Sequence, residues 1–261
     1  MTIVPPAPDP VFVMSEDGVR LAVYDVGDPA APVVMAVHGF ASSGVLNWFH
    51  SGWTRDLTRA GYRVIALDQR GHGRSGKPHD PLQFTTEQLA ADVRTVLESH
   101  LVDDAVLLGY SLGARVGWHL ARSDAQRFPR VVLGGLPSGD PLRGFDLDAA
   151  RTYAASGAPV ADALTRTYIE MAAGIAGNDL ESLVALVEGM RGGIQPDPAD
   201  PPLQPLLIAA GDRDPVRDDS RLLAEAAPRG RFVELPDRDH FSAPTSRVFR
   251  DAALRFLAGS D

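Results

Sequence analysis

No cysteine occurs anywhere in the 261 residues. That removes disulfides, thiolate metal sites and a cysteine nucleophile together, and it fits a reducing compartment. Also missing is an uninterrupted apolar run of the roughly 20 residues that a bilayer-spanning helix needs. The stretch Met1–Pro10 holds four prolines and no basic region leading into an apolar one, so it does not read as a signal peptide. Positive charge is in deficit, with 25 Lys and Arg against 34 Asp and Glu and a net charge of −9. Such a surface repels phosphate backbones and anionic lipid, so neither nucleic acid nor membrane is an expected partner. There is no internal repeat and no long low-complexity tract. These absences leave a globular cytoplasmic protein acting on a small molecule as the expectation.

What is present is a chain long enough for one large α/β domain, 44% of it apolar. Val11–Ser15 and Val19–Val26 flank Glu16-Asp17-Gly18, a hairpin signal. Val33–Val37 is a near-continuous apolar run, as expected of a strand buried on both faces. Similar runs recur at Tyr62–Leu67, Ala105–Leu108, Val131–Leu133, Leu206–Ala210 and Arg231–Leu235. Helical patterns lie between most of them. Thr85–Leu101 carries Leu89, Val93, Val96 and Leu97 on one face with Thr86 as the expected N-cap, and Leu112–Ala121, Asp218–Ala227 and Ser242–Leu257 follow. Alternating strands and helices imply a mostly parallel sheet with right-handed crossovers. From Pro137 to Pro202 no strand is evident. Asp146–Ala155, Val160–Ala173 and Asp179–Met190 look helical, and a proline-rich segment, Gln195–Pro202, leads back. The expected organisation is a core of residues 1–136 and 203–261, with a helical cap, 137–202, inserted in it.

The chemistry begins at Gly109-Tyr110-Ser111-Leu112-Gly113, which closes an apolar strand and opens a helix. That context suits a nucleophile elbow. Ser111 must occupy strained backbone angles for its hydroxyl to clear the sheet, and side chains two residues to either side would collide, so both are glycine. A serine hydroxyl needs a base to take its proton. Of seven histidines, His240 stands after the last strand and before the final helix, on a loop at the strand-end edge that also carries the elbow. The base needs a carboxylate to fix its tautomer. Gly211-Asp212-Arg213-Asp214 follows a strand and offers two; Asp214 lies further into the loop and is favoured, with Asp212 as the alternative. The order Ser, Asp, His suits a nucleophile on an α/β sheet. Acyl transfer also requires two N–H donors aimed at one oxygen. The amide of Leu112, after the nucleophile, and that of Phe40, in His38-Gly39-Phe40 after the first parallel strand, are the candidates. His38 is read as an anchor of that loop. Gly71-His72-Gly73-Arg74-Ser75-Gly76 matches the dinucleotide fingerprint, but Lys77-Pro78-His79-Asp80-Pro81 cannot open a helix toward a pyrophosphate. It is read as a tight loop, with Asp68 and Arg70 paired locally.

Taken in order, His38-Gly39-Phe40, Leu67–Ser75, the Ser111 elbow, Gly211–Asp214 and Asp239-His240-Phe241 make the chain resemble the α/β-hydrolase superfamily over almost its whole length. The resemblance implies an eight-stranded sheet whose second strand is antiparallel, with a helical cap over the site. It is strongest toward bacterial esterases, lactonases and cofactor-free haloperoxidases. Epoxide hydrolases and haloalkane dehalogenases of the superfamily carry Asp at the nucleophile position, where this chain has Ser111. Epoxide hydrolases also have a proline shortly after the His-Gly pair, and here the chain reads Phe40-Ala41. Where relatives often have glycine before the histidine, this chain has Asp239.

The expected activity is hydrolysis of a small to medium carboxylic ester or lactone through an acyl-enzyme on Ser111, with no metal or organic cofactor. Trp48, Tyr110 and Phe241 are the candidate pocket walls, with Phe49 and Trp53 nearby in sequence and Met171 and Met190 as contributions from the cap. The same triad would serve a carbon–carbon bond hydrolase acting on a ring-cleavage product, a perhydrolase or an acyltransferase. A triad-retaining ligand receptor is the reading from another class.

Overall fold

The computed structural model describes residues 7–259. Eight strands form one sheet: β1 (Val11–Met14), β2 (Arg20–Val26), β3 (Val33–Val37), β4 (Arg63–Asp68), β5 (Val106–Tyr110), β6 (Val131–Gly134), β7 (Leu206–Gly211) and β8 (Gly230–Leu235). Their spatial order is β1-β2-β4-β3-β5-β6-β7-β8. β2 runs antiparallel to both β1 and β4, and every other pairing is parallel. The chain steps from β3 to β4 on one side and to β5 on the other, so the loops after β3 and β5 meet where the order reverses. That is where an open α/β sheet forms its crevice.

The central strands are apolar throughout because both faces are covered. Met35, Val37, Ile65, Leu67, Leu107 and Ile208 pack with helices α2 (Thr86–Ser99), α3 (Leu112–Ser123) and α7 (Arg217–Ala226) on one side. Their alternates, Val34, Ala36, Val64, Ala66, Leu108 and Leu207, face α1 (Trp53–Arg59) and α8 (Arg247–Ala258) on the other. No helix among the described residues is long and apolar enough to cross a membrane.

Several boundaries move from their sequence expectation for local reasons. Thr85, not Thr86, is the N-cap of α2; its hydroxyl accepts from the Gln88 amide, and Thr86 is the first helical residue. The last helix is interrupted: Ala243–Thr245 forms a single 3-10 turn containing Pro244, and Ser246, in extended conformation, caps α8 anew. Residues 45–59, to which the sequence pattern assigned no element, form a π-helical turn (Val45–Phe49) followed by α1.

Three helices, α4 (Leu147–Ser156), α5 (Ala163–Ala173) and α6 (Leu180–Gly189), occupy the interval between β6 and β7. Asp146, Asp162 and Asp179 cap them, each accepting amide hydrogen bonds from the first turn. They share an apolar cluster of Phe145, Val160, Ile169, Val184 and Val187, against which Phe40 and Tyr168 pack. α6 also lends Leu186 and Ala185 to the main core, which ties these helices to the sheet.

Asp68 and Arg70 do not pair. Arg70 is fully buried and forks onto Asp92 and Asp17 at 2.7–2.8 Å. Asp68 instead accepts the amides of Gly44 and Arg74 at 2.7 and 2.8 Å and the Tyr24 hydroxyl at 3.2 Å. Burial raises its pKa above the ordinary aspartate value. A Cβ on Gly73 would lie 2.1 Å from an Asp68 carboxylate oxygen. The glycine of the fingerprint-like stretch therefore makes room for an internal carboxylate.

Candidate active site

Ser111 sits between β5 and α3 at φ 51° and ψ −111°, a conformation an L-residue adopts only when its surroundings enforce it. The enforcement is visible at Gly113, where a Cβ would approach the Val37 carbonyl oxygen to 2.0 Å. Only glycine lets the start of α3 press against the end of β3, and that pressure holds the serine outward.

The Ser111 hydroxyl lies 2.9 Å from Nε2 of His240. Nδ1 of His240 lies 2.9 and 3.1 Å from the two carboxylate oxygens of Asp214. An ionised carboxylate can only accept, so Nδ1 carries the hydrogen and Nε2 is free to accept from the serine. The Asp214 side chain is fully buried and its Oδ1 also accepts the Val216 amide at 3.0 Å. Asp212 points elsewhere: its carboxylate accepts the amides of Asp237 and Arg238 at 3.0 and 3.1 Å and shapes the loop that carries His240. Of the two acids, only Asp214 is turned toward the imidazole. Asp239 is exposed and caps its own turn, accepting from Phe241 and Ser242, so it does not face the imidazole. The Tyr110 hydroxyl donates to the His240 carbonyl and pins the loop from below.

Neither the Phe40 nor the Leu112 amide donates to a protein acceptor among the described residues. The loop that presents Phe40 is braced from several sides. His38 is fully buried, its Nδ1 2.7 Å from the Gly39 carbonyl and its Nε2 3.0 Å from the Gln69 amide. This sets the neutral tautomer with hydrogen on Nδ1, and burial pulls the pKa down to about 4. His72 packs edge-on against His38 and Phe40, and burial pulls it to about 3. Asn47 accepts the Gly39 amide at 3.2 Å.

A cavity of about 340 Å³ opens onto Ser111 and His240. Tyr110 and Phe241, both expected there, line it, as does Met171. Trp48 does not. It is fully buried on the face of the sheet that α1 and α8 cover, edge-on to Trp53, and Phe49 lies in the same cluster. The π-helical turn explains the correction: it directs Trp48 and Phe49 to the core and leaves Leu46, Asn47 and, past the turn, Ser51 to the cavity. Tyr168 and Ile175 were missed. Tyr168 and Met171 lie one turn apart on α5, a spacing readable in the sequence once the helix is known to lie over the site, and Ile175 follows just past the helix end. Met190 borders a separate, smaller cavity next to Leu112. Among the described residues, no group of three or more His, Asp or Glu side chains is placed to hold a metal ion.

A family model described as the alpha/beta hydrolase fold matches residues 32–161. With the sheet order and the elbow, this makes the chain a member of the α/β-hydrolase superfamily. Among curated proteins, Epoxide hydrolase A of Mycobacterium tuberculosis is 35% identical over 126 residues, 48% of this chain and 38% of that protein. The matched part thus spans well under half of that relative. Among solved structures, a hydrolase from Pseudomonas aeruginosa superposes with a TM-score of 0.77 at 26% identity, over 95% of this chain and 98% of that one. The enol-lactonase of Burkholderia xenovorans gives 0.74 at 23%, covering 95% and 100%. A thermophilic esterase from Thermogutta terrifontis gives 0.76 at 22%, covering 97% and 99%. The last two likenesses are of fold.

Proposed function

We propose that the chain is a serine hydrolase that cleaves a small to medium carboxylic ester through an acyl-enzyme on Ser111. The observation that carries this reading is the continuous hydrogen-bonded line from Ser111 through His240 to buried Asp214. The Ser111 oxygen attacks the carbonyl carbon while its proton passes to Nε2 of His240, which Asp214 then stabilises as imidazolium. The carbonyl oxygen takes the negative charge between the Phe40 and Leu112 amides. Collapse breaks the bond to the alcohol oxygen, which leaves with the proton from His240. Water attacks the acyl-serine by the same route in reverse, giving the acid and free Ser111. Helices α4–α6 act as a cap: Tyr168 and Met171 of α5 wall the apolar cavity in which the substrate is held away from water.

The epoxide hydrolases among the relatives raise a second chemistry. An epoxide opened by serine would leave an alkyl ether on Ser111, which water does not readily cleave, whereas an acyl ester on the same oxygen is hydrolysable. Ser111 therefore favours acyl transfer. The test uses p-nitrophenyl esters, lactones and styrene oxide with wild type and Ser111→Ala, and a fluorophosphonate with mass detection. Burst release of nitrophenol, a single adduct on Ser111 and loss of turnover in the folded variant are expected. Ester cleavage surviving in Ser111→Ala, or turnover of the epoxide alone, would overturn the assignment.

A further inference from the structure

Ser111 borders two cavities, and a cationic side chain, Arg115, lines only the second. It holds about 30 Å³, room for roughly two waters or one carboxylate when a single water needs about 10–15 Å³. Ser111, Leu112 and Arg115 line it together with Asp140 and Leu142, and Phe40 and Tyr168 border both cavities. His240 lines only the larger one.

Arg115 is the odd group. It stands four residues after Ser111, on the same face of α3, and is only 6% exposed. Nη2 donates to Oε1 of Gln195 at 2.6 Å. Nε is buried and has no acceptor among the described residues. Asp140 attracts the guanidinium through space without forming an ion pair with it, and its Oδ1 already accepts the Leu142 amide at 3.0 Å. Burial draws the Arg115 pKa below the usual arginine value. A guanidinium keeps its proton even so, and a buried cation with an open donor is costly unless an anion completes it.

The position of His240 decides which half of a substrate would meet it. His240 must protonate the leaving oxygen, so the alcohol half lies in the large apolar cavity that His240 lines. The acyl half then extends past Leu112 toward Arg115. We infer that the small cavity is an anion subsite in which Arg115 binds a carboxylate on the acyl group, making hemiesters of short dicarboxylic acids the preferred substrates. The inference rests on the acyl-transfer reading above for the orientation of the ester, and on Arg115 itself for the anion.

The experiment compares benzyl hydrogen succinate with the neutral benzyl methyl succinate, plus the malonate and glutarate homologues, in wild type, Arg115→Met and Arg115→Lys. Wild type should favour the anionic ester of the best-fitting length at least tenfold in kcat/KM, mainly through KM. Arg115→Met, which keeps most of the side chain's bulk, should lower that anionic-over-neutral ratio at least tenfold, and Arg115→Lys should restore part of it. A purely structural role, such as holding Gln195, would lower both esters together and leave the ratio unchanged, which overturns the inference. So would the absence of any anionic preference in wild type. Calorimetry on Ser111→Ala with the same two esters separates the two readings. Tighter binding of the anion, lost in the double variant with Arg115→Met, upholds the subsite even where neither ester is turned over. Equal or no binding of the two rejects it whatever the fate of the acyl-enzyme.

Discussion

Acidification from pH 7.5 to 5 should destabilise the protein through the loop that presents the Phe40 amide. His38 and His72, packed together at 5.0 Å against that loop, are both fully buried, with pKa values drawn from 6.5 to about 4 and about 3. Between the unfolded and folded values the unfolded chain holds a proton that the folded protein refuses, so stability falls as pH drops below about 6.5. Each such group costs about 1.4 kcal/mol per pH unit in that window. From pH 6.5 to 5 one histidine accounts for about 2 kcal/mol and the pair for about 4, against a total stability of about 5–15 kcal/mol for a typical domain. His119, also lowered by burial, acts in the same direction, whereas His79, raised by its hydrogen bond to Asp179, and buried Asp68, raised by desolvation, act against it. Those groups cancel in a comparison of wild type with His72→Gln, which retains a donor able to serve the Arg70 carbonyl 3.0 Å from Nδ1. Urea unfolding followed by tryptophan fluorescence at pH 7.5, 6.5, 5.5 and 5.0 measures both. The variant starts less stable, and the gap should close by about 2 kcal/mol at pH 5. Parallel stability curves would refute the neutral, buried state of His72.

Two further outcomes follow from the geometry. Asp214→Asn should lower kcat by up to about 10⁴-fold, because the amide permits the wrong His240 tautomer; Asp212→Asn, which loosens only the loop, should cost far less, and steady-state kinetics on one p-nitrophenyl ester compares them. Gly113→Ala places a Cβ 2.0 Å from the Val37 carbonyl oxygen. It should cost several kcal/mol in urea unfolding, beyond the ~1 kcal/mol typical of point substitutions, and labelling of Ser111 by a fluorophosphonate should fall with it.

The amino-acid sequence by itself determined the order of the strands and of all the longer helices except α1, the glycine-flanked turn at Ser111, the histidine after the last strand and the helical interval before β7. Those features are local: apolar runs, turn chemistry and spacing act within a few residues. Tertiary structure decided whatever depends on direction. Asp212 and Asp214 are two residues apart and equally acidic, and only the path of the loop turns Asp214 toward His240 while Asp212 holds backbone amides. Trp48 was expected at the pocket wall, yet a π-helical turn rotates it into the core and gives the cavity Leu46 instead. Arg70 and Asp68 are neighbours in sequence, but β4 and its following loop send them to different partners, Arg70 to Asp92 and Asp17 and Asp68 to backbone amides. Arg115 was not singled out by the sequence pattern. That it borders one small cavity with Ser111 on one side and Leu186 and Met190 on the other follows from the tertiary fold, which no spacing along the chain encodes.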